Sequence, residues 1–166
     1  MDGVDVPQPE PAELARDVRL ARASDADAVG QMLCDFNREY DDPAPEPGWL
    51  ASRIRTLLAE GDTAVLLVGT GPDGVAVLRF RPAIWSDALE CYLAELYVRP
   101  AMRGRGLGRA LLAGAIDHAR YRGANYMDLG TAETDEVARK LYESFGFSNR
   151  EGKPDGPRNY YYEREL

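Results

Sequence analysis

The stretch RPAMRGRGLGRALLAG (residues 99–114) decides the fold, because it joins a predicted strand to a predicted helix through a glycine-rich turn. It contains four arginines, four glycines and no acid, in a chain whose formal net charge is −8. The apolar segment 88–98 before it has the length of a strand, and apolar residues recur at helical spacing from Leu107 onward. A helix N-terminus carries free amides and a partial positive charge, and glycines let a bulky anion approach the backbone. The stretch therefore predicts an anion site.

Two common phosphate-binding motifs do not explain this stretch. A Walker A loop needs Gly-Lys followed by Ser or Thr, and that sequence is absent from the chain. The dinucleotide fingerprint GxGxxG fails because Arg109 or Leu111 stands where its last glycine should be. Taken alone, the stretch could also be a glycine-rich turn whose arginines are solvated.

Helical and extended patterns alternate along the rest of the chain. We expect strands at 17–23, 63–70, 75–84, 88–98 and 124–131, helices at 24–40, 49–60, 107–123 and 134–146, and two closing strands at 147–151 and 158–166. This alternation favours a mixed α/β sheet with helices on both faces. The acidic, proline-rich residues 1–15 are expected to form a mobile tail or linker, and 16–166 a single domain.

Composition limits the class of partner and the compartment. A pI near 4.7 argues against a general nucleic-acid binder and against attraction to anionic membranes. No apolar run approaches the roughly 18 residues of a membrane span, and the N-terminal stretch lacks the basic flank and apolar core of a secretory signal. Cys34 and Cys91 form no CxxC and lie among apolar residues, which is typical of buried thiols in a reducing cytoplasm. The lone His118 has no metal-ligating neighbours in sequence, so no metal is expected.

Two motifs identify a family resemblance. Arg103-x-x-Gly106-x-Gly108 resembles the [QR]xxGx[GA] acyl-CoA loop of the GNAT superfamily of N-acetyltransferases, and AELYVRPAMRGRGLGRALL (94–112) resembles the strand, loop and helix around it. Further along, ARKLYESFGF (138–147) resembles the second hallmark of that superfamily. The resemblance is strong over 90–148 and implies a mixed, mostly antiparallel central sheet of six to seven strands flanked by about four helices.

The resemblance also implies how the cofactor binds. Acetyl-CoA is the expected donor, and coenzyme A the product. The backbone amides of the loop are expected to hold the pyrophosphate, and the strand before it to offer backbone groups to the pantetheine arm and the thioester carbonyl. The loop residues are Arg103, Gly104, Arg105, Gly106, Leu107, Gly108 and Arg109, and the strand residues are Leu96, Tyr97 and Val98.

Acetyl transfer to an amine needs a proton acceptor and a proton donor. Glu95 is the candidate base, because it lies on the strand that leads into the loop, on the face opposite Ala94 and Leu96, among apolar residues that raise a carboxyl pKa. Glu90 is a weaker second candidate, and Glu95 could also be a strand carboxylate without a chemical role. By resemblance, Tyr142 is the acid beside the sulfur; otherwise it is one packed aromatic among nine tyrosines.

One position departs from the superfamily pattern. Many relatives carry asparagine three residues before the alanine of the second motif, and this chain has Asp135 there. We do not transfer that cofactor contact to Asp135, because an additional carboxylate beside an anionic cofactor is unexpected.

The segment between the first two helices is expected to bind the acceptor. It carries five acids and two aromatic residues, which suit a cationic amine such as an aminoglycoside or a polyamine, although it could equally be a solvated acidic loop. The residues expected to bind are Phe36, Glu39, Tyr40, Asp41 and Asp42; Asp35 and Glu46 complete the acids. The alternatives are a protein lysine or N-terminal acetyltransferase and a non-catalytic acyl-CoA sensor. The chain does not decide whether it forms a homodimer.

Overall fold

The computed structural model describes residues 18–166, so the tail predicted at 1–15 lies outside the described residues. The chain divides into two compact units, with the boundary between Asp128 and Leu129. The strands are β1 (Val18–Leu20), β2 (Thr63–Val68), β3 (Gly74–Pro82), β4 (Leu89–Val98) and β5 (Ala124–Leu129). The α-helices are α1 (Ala26–Glu39), α2 (Pro47–Glu60), α3 (Leu107–Tyr121) and α4 (Glu136–Ser144).

The five strands form one sheet in the order β1-β2-β3-β4-β5. The first three pairings are antiparallel, with Leu66 opposite Ala76 in β2–β3 and Ala76 opposite Leu96 in β3–β4. The mixed α/β fold with four helices is confirmed, but the described residues hold five strands, fewer than the expected six to seven.

The two closing strands were the wrong part of the fold prediction. Segments 147–151 and 158–166 make a single antiparallel bridge, between Arg150 and Arg158, and Asn159 N–H donates to the Asn149 carbonyl at 2.7 Å. A two-stranded hairpin is marginal in water when it has no further strands or packed apolar face to support it. The consecutive tyrosines at 160–162 are exposed here, so strand-forming composition alone does not produce a ladder.

Helices cover both faces of the sheet. On one face α1 and α2 pack on β2, β3 and β4, where Val75, Val77 and Tyr97 join a buried apolar cluster. On the other face α3 packs on the same strands through a stripe of buried residues, Ala110, Leu111, Leu112, Ala115 and Ala119. The spacing of that stripe is the reason the segment after the glycine-rich turn is helical, because it presents one continuous apolar side to the sheet.

Strand β4 contains a bulge at Ala94. Leu93 lies opposite Leu78 and Glu95 lies opposite Val77, so one additional residue of β4 has no partner of its own in β3. A residue inserted in this way shifts the alternation of side chains along the strand. Leu96 faces away from Glu95, as the sequence predicts, but Ala94 packs against the cluster that includes Val77 and Tyr97, so its predicted placement opposite Glu95 was wrong.

Within residues 18–166, none of the helices combines the length and the apolar character needed to cross a bilayer. Cys34 and Cys91 are both buried free thiols, and burial raises the pKa of the Cys91 thiol to about 11.

Candidate active site

The glycine-rich turn is open to solvent where it meets α3. A short 3-10 turn (Pro100–Met102) leads into Gly104 and Gly106, whose φ angles are +75° and +80°. A Cβ atom at either glycine would meet no atom within 4 Å, so the space above the turn is empty. Gly106 is the N-cap of α3 and has no side chain to cap its first amides. Exposed amides at a helix N-terminus suit an anion, which agrees with the expectation for this loop.

Arg103 is fixed by three hydrogen bonds within the protein. Its two terminal nitrogens donate to Glu39 at 2.6 and 2.7 Å, and its Nε donates to the Val98 carbonyl at 2.9 Å. This contact lowers the pKa of the Glu39 carboxyl. Two residues that the sequence assigned to different ligands, Arg103 to the cofactor and Glu39 to the acceptor, therefore bind each other.

Arg99 makes a second contact with the same helix. Its terminal nitrogen lies 3.7 Å from an Asp35 carboxylate oxygen, and its Nε donates to the Pro72 carbonyl at 3.2 Å. Asp35 and Glu39 are four residues apart on α1, and so are Arg99 and Arg103 along the turn. Residues four apart share one face of a helix. Two of the four arginines in the opening stretch are thus matched by acids of one helix face, a pairing that the tertiary fold creates and that neither local pattern indicates.

Aromatic rings lie beneath this pair of ionic contacts. Tyr97 is 4% exposed, and its ring stacks on Phe36 with the centroids 5.1 Å apart. Phe36 also meets the edge of Tyr40 at 5.4 Å, and the Arg103 guanidinium lies 5.7 Å from the centroid of Tyr97. The side chain of Phe36 is therefore used in packing, whereas Tyr40 at the end of α1 is exposed.

Glu95 and Glu90 lie on the same strand in different environments. Glu95 is half-buried on the face of α1 and α2, and burial raises the pKa of its carboxyl. Glu90 accepts a hydrogen bond from Arg81 Nε at 2.6 Å and so has a structural partner. Burial thus favours proton uptake by Glu95, whereas Glu90 is occupied by its contact with Arg81.

The segment after α1 forms a shallow acidic groove of about 370 Å³. Its lining includes Arg38, Asp41, Asp42, Glu46 and the prolines between them. Two side chains of α1 hold the segment: Asn37 Nδ2 donates to the Pro43 carbonyl at 2.9 Å, and Cys34 Sγ donates to that of Pro45 at 3.0 Å. Asp41 and Asp42 are exposed, and the acids lie where a cation could reach them.

Tyr142 belongs to the second unit, Leu129–Leu166. It lies half-buried in α4, its ring is 6.1 Å from that of Phe147, and its carbonyl accepts from the Phe147 amide. Asp135, where the sequence departs from the superfamily pattern, is the N-cap of α4: its carboxylate accepts from the Ala138 amide at 3.1 Å. A structural role as a helix cap thus accounts for Asp135.

A glutamate next to a bulge in its strand, an open glycine turn and a helix without a side-chain cap are the features expected of an acyl-CoA-dependent transferase. The model of the acetyltransferase (GNAT) family matches residues 27–147, and the chain belongs to this family. The protein is accordingly an N-acetyltransferase, and members of the family use acetyl-CoA as the acetyl donor.

Relatives support the assignment. A solved structure described as that of an acetyltransferase from Arthrobacter sp. FB24 is 42% identical, covers 100% of both chains and superposes with a TM-score of 0.82. The N-acetyltransferase YhfO of Bacillus subtilis is 26% identical over 81% of this chain and 91% of its own length. Mycothiol acetyltransferase of Thermobispora bispora is 33% identical over 84% of this chain, which corresponds to 43% of that longer protein.

Proposed function

We propose that the protein transfers the acetyl group of acetyl-CoA to a small cationic amine by direct attack, with Glu95 as general base and Tyr142 as general acid. The observation that carries this proposal is the environment of Glu95. Its carboxylate is half-buried, its pKa is raised by burial, and it stands three residues before the end of the strand that leads into the open turn.

The turn fits the anionic part of the cofactor. Acetyl-CoA supplies an acetyl group as a thioester, and the residues that would hold it are those of the loop 103–109 together with the backbone of Leu96, Tyr97 and Val98. The fit rests on the empty space above Gly104 and Gly106 and on the first amides of α3. Because Arg103 is paired with Glu39, we assign the attraction of phosphate to those amides, with charge added by Arg105 and Arg109.

The proposed roles account for each proton. Glu95 accepts a proton from the ammonium group, directly or through one water, and this frees the nitrogen lone pair to form the new bond to the acetyl carbon. Tyr142 donates its hydroxyl proton to the sulfur as the carbon–sulfur bond breaks, and it is reprotonated by solvent. A second proton leaves the nitrogen for solvent as the amide forms, and Glu95 then releases its proton to solvent before the next turnover. The side chains therefore need no covalent bond to the acetyl group.

The acidic groove is the proposed acceptor side. Asp41 and Asp42 are exposed in this groove, and Tyr40 is exposed beside it at the end of α1. Phe36 and Glu39 are engaged by Tyr97 and Arg103 instead. Exposed carboxylates attract cations at long range. Three relatives are named for acetylation of small molecules: mycothiol, methionine sulfoximine or sulfone, and streptothricin. These names support a small acceptor over a protein amine.

An amine panel with acetyl-CoA, followed by thiol release, tests the substrate class. It should contain polyamines, aminoglycosides, neutral amines of similar size, and peptides with a free lysine or N-terminus. We expect the highest kcat/KM for small amines with two or more positive charges. A preference for peptides would replace the proposed acceptor by a protein amine, and a preference for neutral amines would remove the role of the acidic groove.

Tyr142→Phe tests the acid. The change removes only a hydroxyl, so we expect kcat to fall by about 10², at the lower end of the range for one positioned acid, while the Kd of coenzyme A stays constant. Tyr161→Phe is the matched control, because that side chain is exposed in the same unit. Equal kcat values for the two variants would exclude Tyr142 as the donor.

A further inference from the structure

We infer that Glu39 is a positioning residue for the acyl-CoA loop: through Arg103 it fixes the entrance of the turn, and it does not bind the acceptor. The inference rests on the proposed binding of coenzyme A at this turn. The acidic composition around Glu39 suggests that it binds a cationic acceptor, whereas this inference assigns it to the cofactor loop.

The first argument is that the protein itself already holds the Arg103 guanidinium, through three of its five N–H groups. All three guanidinium nitrogens donate to the protein, two to Glu39 and one to the Val98 carbonyl, at 2.6 to 2.9 Å. A bidentate pair of this kind fixes both distance and plane. Arg103 therefore ties the loop both to the last residue of β4 and to the last residue of α1.

The second argument is that the turn needs such an anchor. Gly104 follows Arg103 directly and Gly106 follows after Arg105; both glycines have positive φ, and no neighbouring atom would restrain a Cβ at either position. Glycine has more conformational freedom to lose than any other residue, so a free turn would lose it on binding the cofactor. An anchor at Arg103, opposite the fixed start of α3, restricts the turn before the ligand arrives.

The third argument is that the contact belongs to a larger arrangement. Asp35 forms an ion pair with Arg99, and one helical turn later Glu39 forms an ion pair with Arg103. One face of α1 therefore binds both ends of the segment 99–103. The stacked rings of Tyr97 and Phe36 lie beneath it. The side chains of Arg103 and Glu39 keep 43% and 29% of their exposure, so the pair is partly shielded from water.

Charge and position predict opposite results for Glu39→Gln. If Arg103 acts only as a positive charge near the phosphates, removal of the Glu39 charge makes the site more positive and tightens the binding of coenzyme A. If Glu39 positions the loop, the same change weakens binding despite the favourable charge. We expect a roughly three- to tenfold rise in Kd, the factor that corresponds to a partly exposed bidentate pair.

Calorimetric titration with coenzyme A tests this in the full chain, without any acceptor. Arg103→Lys is the second variant: it keeps the charge, loses the planar bidentate contact, and should weaken binding by the same factor. The double variant should bind no more weakly than either single one, because both remove one contact. Asp27→Asn is the matched control, since it removes one charge and an ion pair with Arg55 at the other end of α1; its Kd should stay within about twofold of wild type.

The outcomes separate this inference from the proposed function. Absence of coenzyme A binding by the wild type would refute both. Wild-type binding with equal or tighter binding by Glu39→Gln would refute only the positioning role. A rise in the KM of the amine, with the Kd of coenzyme A unchanged, would also overturn it and return Glu39 to the acceptor side.

Discussion

The glycine-rich turn 99–106 and the acidic segment 40–47 are both irregular, and the protein holds them in different ways. The turn is tied to α1 by charged contacts at Arg99 and Arg103 and runs directly into α3. The segment depends on fixed proline geometry and on neutral bonds from Asn37 and Cys34 to two carbonyls. The first region presents its backbone with few side chains around it, and the second presents exposed charged side chains.

This difference teaches what each region can recognise. A backbone surface binds by shape, so one added side chain can block it altogether. Exposed carboxylates attract a cation electrostatically, and salt screens this attraction. Each carboxylate adds only a small part of the binding free energy. We therefore expect a bulky side chain at a glycine of the turn to abolish binding, and substitutions in the acidic segment to act in small, graded steps.

The largest expected effect is at the strand that enters the turn. Glu95→Gln keeps the shape and removes the proton acceptor, so kcat/KM should fall by roughly 10²–10⁴. The acidic limb of the pH profile should disappear, and in the wild type it should lie above the ordinary carboxyl pKa of 4.5 because burial raises it. Steady-state rates across pH measure both. Glu90→Gln is the control on the same strand, and a similar loss there would move the base to Glu90.

Glu95→Gln should also have a higher free energy of unfolding than the wild type at neutral pH. A carboxyl whose pKa is raised by folding favours the folded state below its unfolded pKa, and that advantage is lost as pH rises through the folded value. Thermal melting from pH 4 to 8 should show a higher Tm for Glu95→Gln only toward the upper end. A lower Tm at pH 7 would contradict the stated environment of Glu95.

The second effect is at the turn itself. Coenzyme A at about one hundred times its Kd should stabilise the wild type by about 2.7 kcal/mol, which corresponds to a rise in Tm of roughly 5–10 °C. Gly106→Leu should abolish that rise, because the side chain would occupy the open space above the turn. Gly123→Leu is the control: its φ of +87° imposes a similar backbone cost at the other end of α3, also in open space. If Gly106→Leu kept the shift, the turn would not be the cofactor site.

The smallest effect is in the acidic segment. Joint replacement of Asp41, Asp42 and Glu46 by their amides should raise the KM of a cationic amine about three- to tenfold and flatten its dependence on salt. The KM of acetyl-CoA should stay nearly constant. Asparagine suits position 41, where φ is +55°, because it tolerates the left-handed region. A control variant neutralises Glu60, Asp87 and Asp117, which are exposed elsewhere. Equal amine KM values for the two triple variants would show that the acidic segment is a solvated loop without a role in binding the acceptor.

Periodicity and turn chemistry predicted most of the first unit. Strand β2, predicted at 63–70, spans Thr63–Val68, and β4, predicted at 88–98, spans Leu89–Val98. The helix after the glycine turn begins at Leu107, as its apolar spacing indicates. These elements are predictable because each buries a regular side of its own sequence.

The sequence could not show contacts that depend on tertiary placement. Glu39 and Arg103 are 64 residues apart, and a local pattern assigns each charge to whatever ligand its own segment suggests. The closing strands failed for a related reason, since a strand requires a partner as well as strand-forming residues. The environment of Glu95 was predicted from its apolar neighbours, but the bulge beside it has no signature in the alternation of LECYLAELYV.

The bulge at Ala94 divides β4 into two short stretches whose side chains follow opposite alternations. Before it, Cys91 and Leu93 occupy the side of the sheet that faces α3; after it, Glu95 and Tyr97 occupy the other side, although all four have odd numbers. The rule that odd- and even-numbered residues of a strand face opposite sides of the sheet therefore does not hold across this position. A homologue that lacks the additional residue would keep both halves in place, whereas a deletion anywhere else in the strand would invert one half. The loss of this one residue is therefore the change in β4 that leaves the buried core residues and Glu95 on their own sides of the sheet.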